Sequence, residues 1–130
     1  MTADDGRRRL TRLLGGAGVL WGLTLLSAPR RVVDALCPEL PASRRWAVPL
    51  LGARLVVQHA AVLAVPTPDV VRVGSAVDLL HAASMAPLVR SPRYRRAAVI
   101  SGAVAAGYAV LAPAVAPRPE RGQGGADDRA

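Results

Sequence analysis

The stretch V73-G-S-A-V-D-L-L-H-A-A-S-M-A-P-L-V89 places a carboxylate, Asp78, and an imidazole, His81, in an otherwise apolar run. At about 100° per residue, these two side chains share one narrow stripe of a helix with Gly74 and Met85. Ionisable side chains in a membrane helix almost always face the interior of a helix bundle. The stretch therefore predicts a membrane helix whose polar stripe faces a neighbouring helix.

The composition favours an all-α membrane protein. Hydrophobic residues make up 52% of the 130 residues, the mean hydropathy is +0.28 and Phe is absent. The apolar residues form four blocks, and a helix needs about 20 such residues to cross the hydrocarbon core. We predict a bundle of four transmembrane helices at about 10–28, 46–65, 70–89 and 97–116. The second and third helices reach the required length only by including charged residues.

The remaining segments are expected to differ in structure. We predict a basic N-terminal tail over residues 1–12 and a disordered, polar tail over residues 117–130. Residues 30–45 form either a short interfacial helix or a connecting loop. The first apolar block is expected to remain as a helix and not to be removed as a signal peptide, because Leu26 and Pro29 are unfavourable beside the candidate cleavage site.

The net charge of +8 is carried by 17 arginines, without any lysine. They cluster between the apolar blocks, as in Arg7–Arg9 and Arg95–Arg96, which is typical of segments beside anionic lipid headgroups. A nucleic-acid surface needs basic residues on one folded face, often with stacking aromatics, so nucleic acid is not an expected partner. The segments outside the predicted helices carry 7 arginines on one side of the membrane and 8 on the other. The excess of positive charge that marks the cytoplasmic side therefore does not decide the orientation. We expect both termini on the same side of the membrane.

Two charged and two polar side chains are predicted to meet between the second and third helices. The turn P66-T-P-D69 makes these helices an antiparallel hairpin. At 1.5 Å per residue, Arg54, Asp78 and His81 lie about 18, 14 and 18 Å from the turn. Gln58 shares a helix face with Arg54. These four residues form a predicted intramembrane polar cluster.

The cluster has two interpretations. Leaving a charge unpaired at the centre of a bilayer costs about 3 kcal/mol, so Arg54 and Asp78 are expected to pair. The pair is either a structural latch, which fixes the register of the hairpin, or part of a functional site. In a functional site, His81 would add a group that titrates near neutrality beside a proton, an anion or a small ligand. No metal or cofactor is expected, because His59 is about 8 Å from His81 in depth and Cys37 is a single, inert thiol.

Small residues predict close helix contacts at two places. Gly18 and Gly22 lie one turn apart in the first helix, and Gly102 and Ala106 lie one turn apart in the fourth. Such spacings let two backbones approach closely, either within the bundle or in a dimer.

Several motifs resemble those of a family of small bacterial four-helix membrane proteins whose domain has no assigned function. The motifs are S27-A-P29, L51-G-A-R54 with Gln58, V77-D-L-L-H-A-A-S-M85 and R95-R96. The resemblance covers roughly residues 13–112. More loosely, the layout is similar to that of DoxX-like four-helix membrane proteins, although their diagnostic motifs are absent. The resemblance implies four membrane helices. Together with the scarcity of residues that have AT-rich codons, it predicts a multi-pass protein of a bacterial plasma membrane.

Two functions fit these observations. The first is an interaction or accessory subunit of a membrane complex, since no catalytic motif is present and no extramembrane domain is expected. The alternative is a small oligomeric carrier or ligand-binding protein that uses the cluster of Arg54, Gln58, Asp78 and His81. The expected partners are the lipid bilayer and either further copies of the chain or a larger membrane complex. An enzymatic activity is not expected.

Overall fold

The computed structural model describes residues 2–118, and all regular secondary structure in this range is helical. The all-α prediction is therefore confirmed. The helices are α1 (Ala3–Ser27), α2 (Pro29–Leu36), α3 (Ala47–Ala64), α4 (Pro68–Met85) and α5 (Arg95–Val115), with short 3₁₀ segments at Ala42–Arg44 and Ala86–Arg90. The predicted disordered tail lies outside the described residues from residue 119 onward.

Helix α1 begins well before the predicted start, so the prediction of a separate basic tail over residues 1–12 is wrong for residues 3–12. Thr2 accepts a hydrogen bond from the backbone N–H of Asp5, and the Asp5 side chain accepts one from the backbone N–H of Thr2. This capping box satisfies two free backbone donors at the start of the helix. Arg7 then donates to the carbonyls of Ala114 and Ala116 at 3.2 and 3.3 Å, which holds the first turns of α1 against the end of α5.

Prolines set the boundaries of α4. Thr67 caps its first turn, with Pro68 at the first helical position, where a missing N–H costs nothing. The helix ends at Met85 and not at residue 89 as predicted, because Pro87 has no backbone N–H with which to continue the hydrogen bonds of the helix. The chain continues to Arg90 as a 3₁₀ segment.

Helix α2 decides between the two predictions for residues 30–45. Its Val33 is completely buried and forms a small apolar cluster with Cys37 and Leu40, packed against Val48 and Tyr94. Burial raises the pKa of the Cys37 thiol, so the unreactive protonated form is favoured at neutral pH. The first half of the segment is therefore a short helix that closes one end of the bundle, whereas residues 37–41 are not helical.

The four long helices form an antiparallel ring in the order α1, α3, α4, α5. The closest pairs are α1 with α3 and α4 with α5. Gly22 of α1 meets Gly52 of α3, whereas α1 and α5 are joined at their ends by the Thr11 hydroxyl, 3.1 Å from the carbonyl oxygen of Val115. Helices α3 and α4 are farther apart, and polar side chains cross the gap between them.

The predicted small-residue contacts are placed differently on the two helices. Gly18 and Gly22 are both buried in α1 against α3. On α5, Gly102 lies against Met85, but Ala106 is exposed and Ala105 is buried in its place. Ala106 therefore does not pack within the bundle, because the face of α5 that packs on α4 continues at three residues from Gly102 and not at four. A contact of Ala106 in a dimer stays a prediction.

The distribution of side chains is the reverse of that in a water-soluble bundle. Buried positions include the polar residues Thr11, His59 and Asp78, together with several glycines. Many large apolar side chains are instead exposed on the outer surface, among them Leu13, Leu20, Val57, Leu80 and Val110. A lipid environment accounts for this pattern, since it offers no penalty to exposed apolar groups.

Three helical segments are long and apolar enough to cross a membrane, namely Ala3–Ser27, Ala42–Ala64 and Arg95–Val115. Helix α4 is not among them, because it carries Asp69, Arg72 and Asp78 within 18 residues. These properties indicate a membrane protein.

Candidate functional site

An ion pair joins α3 and α4 near the middle of the bundle. Arg54 Nη2 of α3 donates to Asp78 Oδ1 of α4 at 2.9 Å. The Asp78 side chain is 3% exposed and that of Arg54 is 26% exposed. Charge-assisted hydrogen bonds of this length are roughly twice as strong as neutral ones, so the pair holds the two helices in register.

Gln58 completes the contacts of the Asp78 carboxylate. Its Nε2 donates to Asp78 Oδ2 at 2.8 Å and lies 3.3 Å from the carbonyl oxygen of Gly74. Its Oε1 accepts from Arg54 Nη2 at 3.0 Å. Both oxygens of the carboxylate therefore have a donor. Each helix contributes two groups that are one turn apart, as the 3.6-residue period requires.

His81 is partly buried beside this network but is bonded elsewhere. Its Nε2 lies 2.7 Å from the hydroxyl oxygen of Ser101 on α5. No hydrogen bond joins His81 to Arg54 or Asp78 in the described part of the chain. The structure thus brings Arg54, Gln58 and Asp78 together as one network and links His81 to a second helix.

Arg54 keeps hydrogen-bonding capacity that the network does not use. The two N–H groups of Nη2 are used by Asp78 and Gln58. Nη1 is buried and has no hydrogen-bond partner among residues 2–118. A buried donor without a partner costs about 1–3 kcal/mol, and more when the group is charged.

A cavity of 460 Å³ adjoins the network and is surrounded by all five helices. Its wall is mostly apolar, with residues such as Leu25, Val33 and Leu51. On α5 the lining runs from Tyr94 to Tyr108, which corresponds to a length of about 20 Å at 1.5 Å per residue. The polar residues that line the half farther from α2 are Arg54, His81, Ser101 and Tyr108.

A second space lies between α3 and α4 as an open groove of 990 Å³. Only residues of these two helices line it, including Val57 and Val73, which are highly exposed on the outer surface. Ala47, Leu51, Arg54 and His81 line both this groove and the cavity. These four residues therefore form the partition between the interior and the lipid-facing surface.

His59 belongs to a separate packing contact. Its Nδ1 lies 2.9 Å from the carbonyl oxygen of Leu55, so this nitrogen must carry the hydrogen. The ring makes an edge-to-face contact with Tyr108 at 4.5 Å between centroids and packs over Gly18. This contact joins α1, α3 and α5 on the side of the bundle away from the groove.

Sequence reasoning missed Ser101 and Tyr108 as neighbours of the cluster. A signal was present, since Ser101 is the only residue with a polar side chain between Ala97 and Gly107. A lone hydroxyl in a helix that is otherwise apolar indicates a polar contact in the interior. The pairing with His81 depends on the α4–α5 register, which the sequence pattern does not specify.

Comparison with protein-family models, with curated proteins and with solved structures gave no match.

Proposed function

We propose that the chain is a multi-pass protein of a bacterial plasma membrane with four crossing helices, and that it binds a small lipophilic molecule in the cavity between them. The observation that carries this proposal is the 460 Å³ cavity, whose polar groups gather beside Arg54 in an otherwise apolar wall. Sites for small ligands are concave, mostly apolar and of about this size, with a few polar groups that orient the ligand. A pair that served only as a latch would not need a space beside it.

The exposure of α4 supports its role as a fourth crossing helix. Val73 and Leu80 are 65% and 72% exposed, whereas Asp78 on the same helix is 2% exposed. Asp69 and Arg72 occupy the first two turns, from which long side chains reach the headgroups. The one charge in the middle of the helix is paired with Arg54. Beyond its first two turns, the outer face of α4 is therefore mostly apolar.

Labelling of single cysteines tests this topology in the Cys37→Ala background. Asp4→Cys and Asp69→Cys lie at one end of the ring, and Ala35→Cys and Arg93→Cys lie at the other. We expect a membrane-impermeant maleimide to label the first two from one side of sealed vesicles and the last two from the opposite side. Labelling of Asp69→Cys and Arg93→Cys from the same side would show that α4 does not cross.

Alanine methyl groups provide a test of ligand binding. Ala98 and Ala105 line the cavity and are buried, whereas Ala103 and Ala106 are exposed on the same helix. We expect titration of the protein in lipid nanodiscs with undecane to shift the ¹³C-methyl resonances of the first two in a saturable manner. Ala105→Leu, which fills part of the space, should weaken this response. Linear shifts of equal size at all four methyl groups would mean simple partitioning and would disprove the proposal.

The hypothesis of an accessory subunit remains a prediction, as does the resemblance to small four-helix membrane proteins. It requires a partner that contacts the outer surface, and the exposed apolar side chains there are equally suited to lipid. An absence of saturable binding in the alanine experiment would favour this hypothesis over a ligand-binding one. Further copies of the chain, as in an oligomeric carrier, are compatible with either function.

A further inference from the structure

The unused hydrogen-bonding capacity at the cavity is that of a donor. Arg54 lines the cavity, and its Nη2 is the only guanidinium nitrogen with hydrogen-bond partners among the described residues, which leaves the donors of Nε and Nη1 unused. A guanidinium has no acceptor atoms. The nearby polar lining groups, the Ser101 hydroxyl and the His81 ring, already lie 2.7 Å from each other. The Tyr108 hydroxyl, which also lines this half, can either donate or accept, so an occupant that satisfies Arg54 needs an acceptor oxygen or nitrogen.

The charges around Arg54 indicate that this acceptor is neutral. The guanidinium is balanced by Asp78, whose two oxygens both accept hydrogen bonds within the network. A carboxylate or phosphate on the ligand would add a negative charge that only a protonated His81 could balance at this depth. Transfer of such a charge into an apolar interior costs several kcal/mol. A carbonyl oxygen accepts the same hydrogen bonds without that cost.

The shape and surroundings of the cavity indicate the rest of the ligand. The lining extends over about 20 Å along α5 and is apolar over most of that length, which fits an alkyl or prenyl chain better than a compact polar molecule. Arg54 and His81 also line the groove that faces lipid between α3 and α4. A lipophile dissolved in the bilayer would meet these two residues before it reached the interior.

We infer that the ligand is an elongated, uncharged lipophile whose carbonyl oxygen accepts a hydrogen bond from the guanidinium of Arg54. This inference rests on the proposed function, because it names the class of molecule that the cavity takes. Arg54 acts as the residue that determines specificity, with Asp78 and Gln58 holding the guanidinium in position. The apolar wall contributes affinity for the alkyl or prenyl part of the ligand but does not select its polar head group.

Three probes of equal chain length test the inference by the same alanine-methyl titration. Undecane has no acceptor, methyl nonyl ketone has a neutral one, and undecanoate at alkaline pH has a charged one. We expect the ketone to bind on the order of tenfold more tightly than undecane, as a hydrogen bond to a charged donor predicts. Undecanoate should bind no more tightly than undecane. The carbonyl stretch of the bound ketone should lie at lower wavenumber than in lipid alone.

Two variants identify the donor. Arg54→Lys keeps a cation opposite Asp78 but removes the guanidinium, and we expect it to bind undecane normally while losing the preference for the ketone and the infrared shift. Ser101→Ala should retain both. If the lysine variant does not fold, Arg54→Met with Asp78→Asn replaces it, because this pair of changes removes both charges.

The outcomes separate the two proposals. Failure of every probe to bind would disprove the proposed function itself. Equal binding of undecane and the ketone would leave the proposed function intact and overturn the assignment of Arg54. Loss of the ketone preference in Ser101→Ala alone would place the donor on α5 and would also overturn the assignment of Arg54. Tightest binding of undecanoate would show that the site accepts an anion and not a neutral head.

Discussion

Asp78→Asn is expected to destabilise the folded protein by about 3 kcal/mol or more, because it leaves the Arg54 charge buried without a counter-charge. Arg54 cannot lose its proton to escape this cost. Arg54→Met should cost less, since a carboxyl group that loses its cation can take up a proton and become neutral. The double variant should be closer to Arg54→Met than to the sum of the two single changes. The measurement is the free energy of unfolding in mixed micelles as the denaturing detergent increases.

The chain contains a matched control for this cycle. Arg72 and Asp69 form a pair at 3.6 Å on the surface, with side chains 70% and 89% exposed. Exposed pairs contribute about 0–1 kcal/mol, so removal of either partner should change the unfolding free energy little. If the double variant of Arg54 and Asp78 is as unstable as the full sum of the single changes, the pairing of their charges is not what stabilises the bundle.

Gly22→Ala and Gly52→Ala are expected to destabilise the protein by about 2 kcal/mol each through separation of α1 from α3. A Cβ atom on Gly22 would lie 2.8 Å from the carbonyl oxygen of Gly52, and one on Gly52 would lie 2.6 Å from the carbonyl oxygen of Gly22. Both neighbours are backbone atoms, so no side-chain rotation relieves the overlap. The helices must move apart, and α3 carries Arg54 with it. The same unfolding measurement detects the loss.

Gly16→Ala and Gly107→Ala are the controls, because a Cβ at either position meets nothing within 4 Å. Alanine favours a helix over glycine by about 1 kcal/mol, so these variants should be neutral or slightly stabilised. An equal loss of stability in all four variants would mean that glycine matters for the helices themselves and not for their contact. A neutral result at Gly22 would show that α1 and α3 have room to separate.

The sequence by itself determined the all-helical architecture and the positions of the long helices to within a few residues, except at the start of α1. Periodicity and length suffice for this, because the apolar blocks exceed the length of strands and prolines separate them. The meeting of Arg54, Gln58 and Asp78 was also predicted. Because the turn between α3 and α4 is short, the two helices can pair in essentially one register. Residues at the same distance from the turn must therefore be neighbours.

Other features were decided only by the tertiary structure. The contact of Arg7 with the carbonyls at the end of α5 joins residues more than 100 positions apart, and no local pattern signals it. The bond between His81 and Ser101, and the cavity beside Arg54, depend on how α5 packs on α4. Helical periodicity states which side chains share a face, whereas the shape of the space between faces is set by the angles and distances at which whole helices pack.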